Sequence, residues 1–224
     1  SLYIANIDNA LIEINNVEVP IMDGSAKIFL DVLKKAKIKK LDKKIKYLNI
    51  IDKVELKDGA KKISIEPSNS SFEVDFKLKY ENKIIGKQRN LVNFQNDNLK
   101  NVCDSRTFCL LEDIEKIKKL GLAKGGSLDN AIVVDKNRIL NSGGLRNEKE
   151  FVNHKILDLA GDFVLSGYRV LGKVVCEHGG HLLTNSFLKK LFINSKCFLE
   201  IETNDGEIVK KTPQNQSIRL AVNA

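Results

Sequence analysis

The spacing of apolar and polar residues predicts that strands and helices are mixed along this chain. Residues 71–80 alternate apolar and polar side chains, as a strand with one buried face does. The strand-like pattern covers residues 47–94, and residues 57–59 (KDG) supply a hairpin turn within it. Residues 110–120 change to helical spacing, and Gly121 follows as a helix C-cap. The pattern as a whole predicts an α+β fold.

Further elements are predicted on either side of this region. Two short strands, at residues 10–14 and 17–19, are separated by an Asn-Asn turn. A helix follows, with Asp23 or Ser25 as its N-cap. Towards the C-terminus, the pattern predicts a strand at 131–134, a helix at 151–166, a strand at 170–176 and a helix at 182–192.

The predicted helix at 151–166 carries the most informative chemistry. His154, Asp158 and Asp162 are spaced four apart, so a helix places them in one row. A neutral imidazole and a carboxylate one turn apart can supply two zinc ligands, leaving room for a third and for water. The alternative is a solvated helix face with an ordinary His–Asp pair, and the spacing alone favours that alternative. The opposite side of the helix should be buried, because it carries Val152, Ile156, Leu159, Ala160 and Phe163.

Composition narrows the class of protein. At 224 residues, with 42% hydrophobic and 29% charged residues, the chain suits one large globular domain or two small ones. No stretch approaches the ~20 apolar residues of a membrane span, and no signal peptide pattern opens the chain. The four cysteines form no C-x-x-C pair, which predicts free thiols in the reducing cytoplasm.

The net charge of +8 comes largely from lysine, and eight lysines lie between residues 34 and 46. Such a cluster can attract nucleic acid or an anionic membrane surface. However, the chain has no tryptophan, and no aromatic residue interleaves with these lysines to stack on bases. A solvated helix end and linker therefore explains the segment better than a nucleic-acid site, and we interpret it as a domain boundary.

Five motifs are more specific together than any one alone: residues 19–25 (VPIMDGS), 105–108 (SRTF), 125–133 (GGSLDNAIV), 154–162 (HKILDLAGD) and 180–185 (GHLLTN). In these motifs the sequence resembles the UDP-3-O-acyl-N-acetylglucosamine deacetylases, which are zinc enzymes of lipid A biosynthesis in Gram-negative bacteria. The resemblance runs from Ile7 to about Phe192. It reverses the preference for a solvated His–Asp pair.

The resemblance implies a zinc site of two histidines and one aspartate, in which His154 and Asp158 match the second and third ligands. The first ligand belongs to a Glu-His-Leu motif that the resemblance places just ahead of this chain, and the glutamate of that motif is the general base. The chain begins with Ser1 rather than methionine. We therefore expect an N-terminally truncated copy that is inactive alone.

The resemblance also implies roles for four further residues. Thr107 matches the hydroxyl that donates to the developing oxyanion. His181 matches the general acid on the leaving amine, and Asp162 matches the carboxylate that orients it. Lys155 matches the lysine that faces the nucleotide diphosphate. Without the resemblance, Thr107 would be read as a packing residue, Asp162 as a helix-surface carboxylate and Lys155 as one more solvated lysine.

A long acyl chain on the substrate requires an apolar passage, which the resemblance assigns to a strand–helix–strand insert at about 110–134. The alternative is that these residues are simply the core of a small subdomain, and both interpretations can hold. The expected substrate-binding residues here are Phe108, Leu111, Ile114, Ala123, Gly126, Ser127, Leu128 and Val133.

Three positions depart from the family pattern. Cys109 stands where glycine is common, Asn147 replaces a common aromatic residue, and Asn153 replaces a common basic residue. None of them removes an essential atom, but they could alter the acyl passage or the affinity for nucleotide.

The complete interpretation is two similar layered sheet-and-helix domains with the active site between them. The first, incomplete domain covers residues 1–40, the second covers 41–204, and 205–224 form a polar tail. We expect a cytoplasmic, monomeric zinc deacetylase that releases acetate from a UDP-linked acylated glucosamine and touches the inner membrane surface transiently. The alternatives are a truncated, non-catalytic relative that binds nucleotide sugar or acyl chain and, more weakly, a basic nucleic-acid-binding module.

Overall fold

The computed structural model of the chain describes residues 1–16, 18–68, 71–121 and 123–203. The expected polar tail at 205–224 lies outside these ranges. No helix in the described ranges is long and apolar enough to cross a membrane. The helices are α1 (Lys27–Lys35), α2 (Lys100–Cys103), α3 (Leu111–Lys119), α4 (Glu150–Val164) and α5 (His181–Ile193).

Among the described residues, ten strands form two sheets, which confirms the predicted α+β class. The larger sheet has seven strands and the smaller has three. The strands are β1 (Ile45–Ile50), β2 (Val54–Asp58), β3 (Lys61–Glu66), β4 (Phe72–Lys79), β5 (Lys87–Asn93), β6 (Phe108–Leu110), β7 (Ile132–Asp135), β8 (Arg138–Ile139), β9 (Arg169–Glu177) and β10 (Phe198–Thr203).

The larger sheet is organised around β9. This strand pairs in parallel with β1 and β4 and antiparallel with β3, while β2, β5 and β10 extend the sheet by antiparallel pairing. The turn predicted at 57–59 connects β2 to β3, where Gly59 adopts φ +57°. Helix α4 packs on β4 and β5, and α5 packs on β2, β3 and α4.

The buried face of α4 anchors the candidate site to the core. Its five predicted core residues, Val152, Ile156, Leu159, Ala160 and Phe163, are all buried, as the helical spacing predicted. Full burial of each larger side chain stabilises the fold by about 1.5–3 kcal/mol. The opposite, polar row of α4 is therefore held in a fixed position relative to the sheet.

The smaller sheet belongs to the region predicted as a strand–helix–strand insert. Strand β6 pairs in parallel with β7, and β7 pairs antiparallel with β8. Helix α3 connects β6 to β7 along the chain and packs against both.

The N-terminal region differs from the prediction at both of its predicted strands. The strand predicted at 10–14 is wrong: these residues form no strand, and Leu11 is 89% exposed. Among the described residues, no neighbouring strand pairs with this segment and satisfies its backbone N–H and C=O groups. The alternating apolar pattern alone is therefore not sufficient to form a strand. The second predicted strand, at 17–19, is also absent at residues 18 and 19, and residue 17 lies outside the described ranges. The helix predicted after Ser25 is confirmed as α1, but the predicted N-cap is wrong, since Ala26 rather than Asp23 or Ser25 occupies that position. The Ser25 hydroxyl still accepts a hydrogen bond from the Lys27 N–H at 3.2 Å.

The first residues of the chain pack against the larger sheet. Tyr3 makes edge-to-face contacts with Phe72 and Phe94, at ring-centroid distances of 5.8 and 6.0 Å. The Arg169 guanidinium lies 5.3 Å from the Tyr3 ring centroid and donates to Asp8 at 2.8 Å. These contacts fix the N-terminal turn to the start of β9.

Candidate active site

The polar row on α4 begins with a buried histidine. His154 Nδ1 lies 3.2 Å from the Ser105 carbonyl oxygen. A carbonyl oxygen only accepts hydrogen bonds, so Nδ1 must carry the proton and donate. The other ring nitrogen, Nε2, lies 3.2 Å from Asp158 Oδ1. The ring is thus held from behind and presents Nε2 to the carboxylate one turn further along the helix.

This arrangement brings together two atoms that both accept hydrogen bonds. With Nδ1 protonated, Nε2 of a neutral ring has only a lone pair to offer, as does Asp158 Oδ1. Two such atoms at 3.2 Å are stable only with a proton or a cation between them. In a tetrahedral zinc site, ligand atoms at ordinary bond lengths lie about 3.4 Å apart. The pair therefore fits two corners of a zinc site.

The Asp158 carboxylate is strongly biased towards its charged form. Burial alone would raise the pKa of Asp158, but the hydrogen bond and charge that the His154 ring supplies when it is protonated, together with the Lys155 ammonium, hold that pKa well below its usual range. Lys155 Nζ lies 3.0 Å from Asp158 Oδ2, the oxygen that faces away from His154. An ionised carboxylate is the form that binds a metal ion.

The far end of the row holds a second histidine. His181 is the first residue of α5, and its Nδ1 donates to the Asp162 carboxylate, at 2.8 Å from Oδ1 and 3.0 Å from Oδ2. The His181 side chain is 69% exposed, so Nε2 is open to solvent. The turn before His181 depends on Gly179, because a Cβ there would lie 2.2 Å from the buried Cys176 sulfur.

Thr107 is held in place through its backbone. Its N–H donates to the Gly24 carbonyl at 2.9 Å, and its carbonyl accepts from the Ile132 N–H at 2.8 Å. Gly24 has φ +80°, and a Cβ there would lie 2.0 Å from the Asn130 carbonyl oxygen. The motifs at 19–25, 105–108 and 125–133 therefore meet around Thr107, which explains why they occur together in the sequence.

Phe108 connects this loop to the row on α4. Its ring centroid lies 6.5 Å from that of His154, in an edge-to-face geometry, and 5.8 Å from Lys155 Nζ. The residue next to Thr107 thus contacts the side of the site that carries His154 and Lys155. Phe108 on β6 and His181 at the start of α5 thus each contact the polar row on α4, the first at His154 and the second at Asp162.

Within the described residues, no three histidine, cysteine, aspartate or glutamate side chains are placed to hold one metal ion. The described site therefore provides two candidate ligands, His154 and Asp158, and no third one. The pair is compatible with part of the ligand set that the sequence resemblance implies.

The residues expected to line an acyl passage all lie on the small sheet and its connections. Val133 is buried on β7, whereas Leu111 and Leu128 are 41% and 48% exposed. Ala123, Gly126 and Ser127 are exposed in the connection after α3, and Ile114 is half-buried on α3. Two surface grooves lie elsewhere, one along α5 near Phe192 and one near Pro20. The acyl passage therefore stays a prediction.

The asparagines that depart from the family pattern contact each other. Asn153 is buried, its Nδ2 donates to Asn147 Oδ1 at 3.1 Å, and its Oδ1 accepts from Asn90 Nδ2 at 2.8 Å. Asn147 Nδ2 then donates to Ser105 Oγ at 3.3 Å. The two departures form one chain of amides that ends at the loop behind His154.

Sequence reasoning missed a buried ion pair next to the row. Glu150 has no exposed surface, and its Oε1 accepts from Arg106 Nε at 2.9 Å. The available signal was the spacing, because Glu150 precedes His154 by four residues and extends the same row. Arg106 also lies inside one of the quoted motifs, between Ser105 and Thr107.

The chain is an α+β protein in which histidine and carboxylate side chains meet along one helix. Residues 1–193 match the protein family described as "LpxC: UDP-3-O-acyl N-acetylglycosamine deacetylase". The chain belongs to this family, which confirms the resemblance inferred from the five motifs.

Three relatives illustrate the extent of the similarity, and each bears the name UDP-3-O-acyl-N-acetylglucosamine deacetylase. The protein of Haemophilus ducreyi is 36% identical over 215 residues, covering 95% of this chain and 69% of the relative. That of Campylobacter jejuni is 43% identical over 196 residues, covering 87% and 66%. That of Helicobacter pylori is 40% identical over 200 residues, covering 89% and 68%. The chain thus spans about two thirds of the length of these relatives.

Proposed function

We propose that this chain carries part of a site that removes the N-acetyl group from a UDP-linked, 3-O-acylated N-acetylglucosamine in lipid A biosynthesis, releasing acetate. The observation that carries this proposal is the row on α4. His154 and Asp158 present two facing acceptor atoms at 3.2 Å, and one turn further Asp162 holds an exposed imidazole. Membership of the deacetylase family supplies the substrate class.

His154 Nε2 and Asp158 Oδ1 are proposed as two ligands of a zinc ion. The third ligand and the general base are expected from the Glu-His-Leu motif that the resemblance places ahead of Ser1. When bound, the ion would supply Lewis acidity for attack of water on the acetamide carbonyl. The protein's own contribution is to hold the two acceptors in position, through the Ser105 carbonyl behind His154.

His181 is proposed as the proton donor to the leaving amine. As the amide C–N bond breaks, the amine nitrogen takes the proton from His181 Nε2, and the oxygen of the attacking water remains in acetate. Asp162 accepts from Nδ1, which fixes the ring orientation; when both ring nitrogens carry a proton, Nε2 is the one that can donate. The open position of Nε2 allows the substrate to reach it.

Thr107 and Lys155 are proposed to bind the reacting group and the nucleotide. The backbone of Thr107 is hydrogen-bonded on both sides, and its hydroxyl is proposed to donate to the developing oxyanion. Lys155 now pairs with Asp158 Oδ2, and we propose that its ammonium turns towards the substrate diphosphate.

The insert residues around Phe108, Leu128 and Val133 are proposed to contact the acyl chain. The exposed leucines on this insert also suit transient contact with the membrane that holds such an amphiphilic substrate. We propose that the protein works as a cytoplasmic monomer.

The test is acetate release from UDP-3-O-acyl-N-acetylglucosamine by the protein expressed from its complete coding sequence. Acetate release that a zinc chelator abolishes and added zinc restores would support the proposal. Binding of the nucleotide sugar without any acetate release would instead identify a non-catalytic relative.

A further inference from the structure

The carboxylate of Glu150 is fully occupied by donors from the loop behind His154. Oε1 accepts from the Arg106 backbone N–H at 3.0 Å and from Arg106 Nε at 2.9 Å. Oε2 accepts from Arg106 Nη2 at 3.2 Å and from the Arg146 backbone N–H at 2.6 Å. Glu150 thus joins two loops to the first turn of α4.

One of these donors belongs to the peptide group that also orients His154. The Ser105 carbonyl, which accepts from His154 Nδ1, and the Arg106 N–H, which donates to Glu150, are the two ends of a single peptide plane. In a trans peptide these two groups point in opposite directions. Glu150 and His154, one turn apart on α4, therefore hold this peptide plane from both sides.

The negative charge of Glu150 is required for this arrangement. All four of its contacts are donors, and a neutral amide in its place would point an NH₂ group at two of them. The carboxylate also polarises the Arg106 N–H, which strengthens the Ser105 carbonyl as an acceptor. Arg106 is itself buried and donates from Nη2 to the Gly144 carbonyl at 2.7 Å, so the whole unit is rigid.

We propose that Glu150 is a positioning residue that sets the orientation and the protonated nitrogen of His154 by fixing the Ser105–Arg106 peptide. With Nδ1–H committed to the Ser105 carbonyl, Nε2 is the nitrogen left to bind a metal ion. Glu150 touches neither substrate nor metal. This proposal rests on the proposed function only where it takes His154 as a zinc ligand.

The direct test is nuclear magnetic resonance of the imidazole N–H protons in the metal-free protein. The Nδ1–H proton of His154 is expected to be protected from exchange with water, because it is buried and hydrogen-bonded. In Glu150→Gln its exchange should be at least about tenfold faster, and zinc affinity, measured against a competing chelator, should fall about tenfold. Asp75→Asn is the matched control, since it also removes the charge of a buried carboxylate paired with an arginine, on the sheet; both quantities should stay within about twofold of those of the unsubstituted protein.

A second variant covers the case in which Glu150→Gln leaves Arg106 unpaired and the protein does not fold. The double variant Arg106→Met/Glu150→Met removes the pair without an unpaired buried charge, a change that is often neutral for stability. It should show the same faster exchange. Unchanged protection of the His154 Nδ1–H proton in either folded variant would overturn the proposal. Faster exchange with unchanged zinc affinity would uphold the positioning role and instead refute His154 as a ligand.

Discussion

The two histidine–carboxylate pairs on α4 use the same residue types in opposite ways. In the first pair, a backbone carbonyl accepts a hydrogen bond from Nδ1 of His154. When that ring is neutral, its Nε2 and the Asp158 carboxylate face each other as two acceptors. In the second pair, the Asp162 carboxylate itself accepts the hydrogen bond from Nδ1 of His181. The first pair needs a proton or a cation between its two acceptor atoms, and the second needs neither.

The side chains of the two histidines also differ in how far they are exposed to solvent. The His154 side chain is 10% exposed, whereas that of His181 is 69% exposed. A buried, preoriented nitrogen suits a metal ligand, whereas an open nitrogen suits proton transfer to a substrate that comes and goes. The partner of Nδ1, rather than the presence of a nearby carboxylate, therefore separates the two proposed roles.

The largest effect is expected when the carboxylate of the first pair is removed. In the protein expressed from its complete coding sequence, Asp158→Ala should weaken zinc binding by more than the roughly 10–100-fold attributed to partners outside the ligand set. Turnover should fall to background, because the metal is lost with its ligand. Zinc content and acetate release are measured in one preparation, and full zinc content in this variant would contradict the ligand assignment.

Removing the second histidine should separate activity from metal content. His181→Ala should lower turnover by about 10²–10⁴, the usual contribution of a general acid or base. Its zinc content should match that of the unsubstituted protein, because His181 is paired with Asp162 and not with the acceptor pair. A variant that lost its zinc would show that the two pairs do not act separately.

Asp162→Asn should produce an effect between these limits. The side-chain oxygen of asparagine can still accept a hydrogen bond from His181 Nδ1, but a neutral amide forms no ion pair with the cationic ring. Turnover should therefore fall less than in His181→Ala, by about tenfold or more. If the loss equalled that of His181→Ala, Asp162 would have a role beyond orienting the ring.

The sequence predicted α1, α3, α4 and α5, the strand-like region at 47–94, β7, β9 and the row on α4, because these depend on local spacing. The short helix α2 and the strands β8 and β10 were not predicted. Val152 and Phe163 lie on the buried face, and His154 and Asp158 lie on the other, as period 3.6 requires. The strand at 10–14 was wrong, because whether an apolar segment pairs depends on a partner strand that the local pattern does not show.

The contacts behind the row could not be predicted either. Arg106 and Glu150 are 44 positions apart in the chain, and only the fold brings them together. The requirement for glycine at position 24 could not be predicted either, because it arises from the Asn130 carbonyl oxygen, which leaves no room for a Cβ. Residue spacing predicts which side chains share one face of a helix. Tertiary packing determines which groups from other parts of the chain contact that face.

The packing around Thr107 gives a prediction about stability. Gly24→Ala places a residue at φ +80°, which costs about 1–2 kcal/mol, and in addition a methyl group 2.0 Å from a carbonyl oxygen. Gly59→Ala is the matched control, because Gly59 has φ +57° and open space around it. Denaturant unfolding should show a larger loss for Gly24→Ala. Equal losses would mean that the loop moves freely and does not hold Thr107 in place.

The smallest expected effect concerns a carboxylate that pairs with arginine instead of histidine. Asp75 is buried on β4 and accepts from Arg89 Nε at 2.8 Å. The hydrogen bond from Arg89 outweighs burial and, with the arginine charge, lowers the pKa of Asp75. A carboxyl whose pKa is lower in the folded protein stabilises the fold above its unfolded pKa of about 3.9, and this stabilisation is lost as the pH falls through the folded pKa.

Asp75→Asn should therefore be less stable than the unsubstituted protein near neutral pH, and the difference should shrink below about pH 4. Urea unfolding across this range measures it, while zinc content and turnover stay unchanged because the pair lies on the sheet. A difference in stability that stayed constant with pH would show that the Arg89 contact does not stabilise the ionised form, and any loss of zinc would mean that this structural pair is coupled to the row on α4.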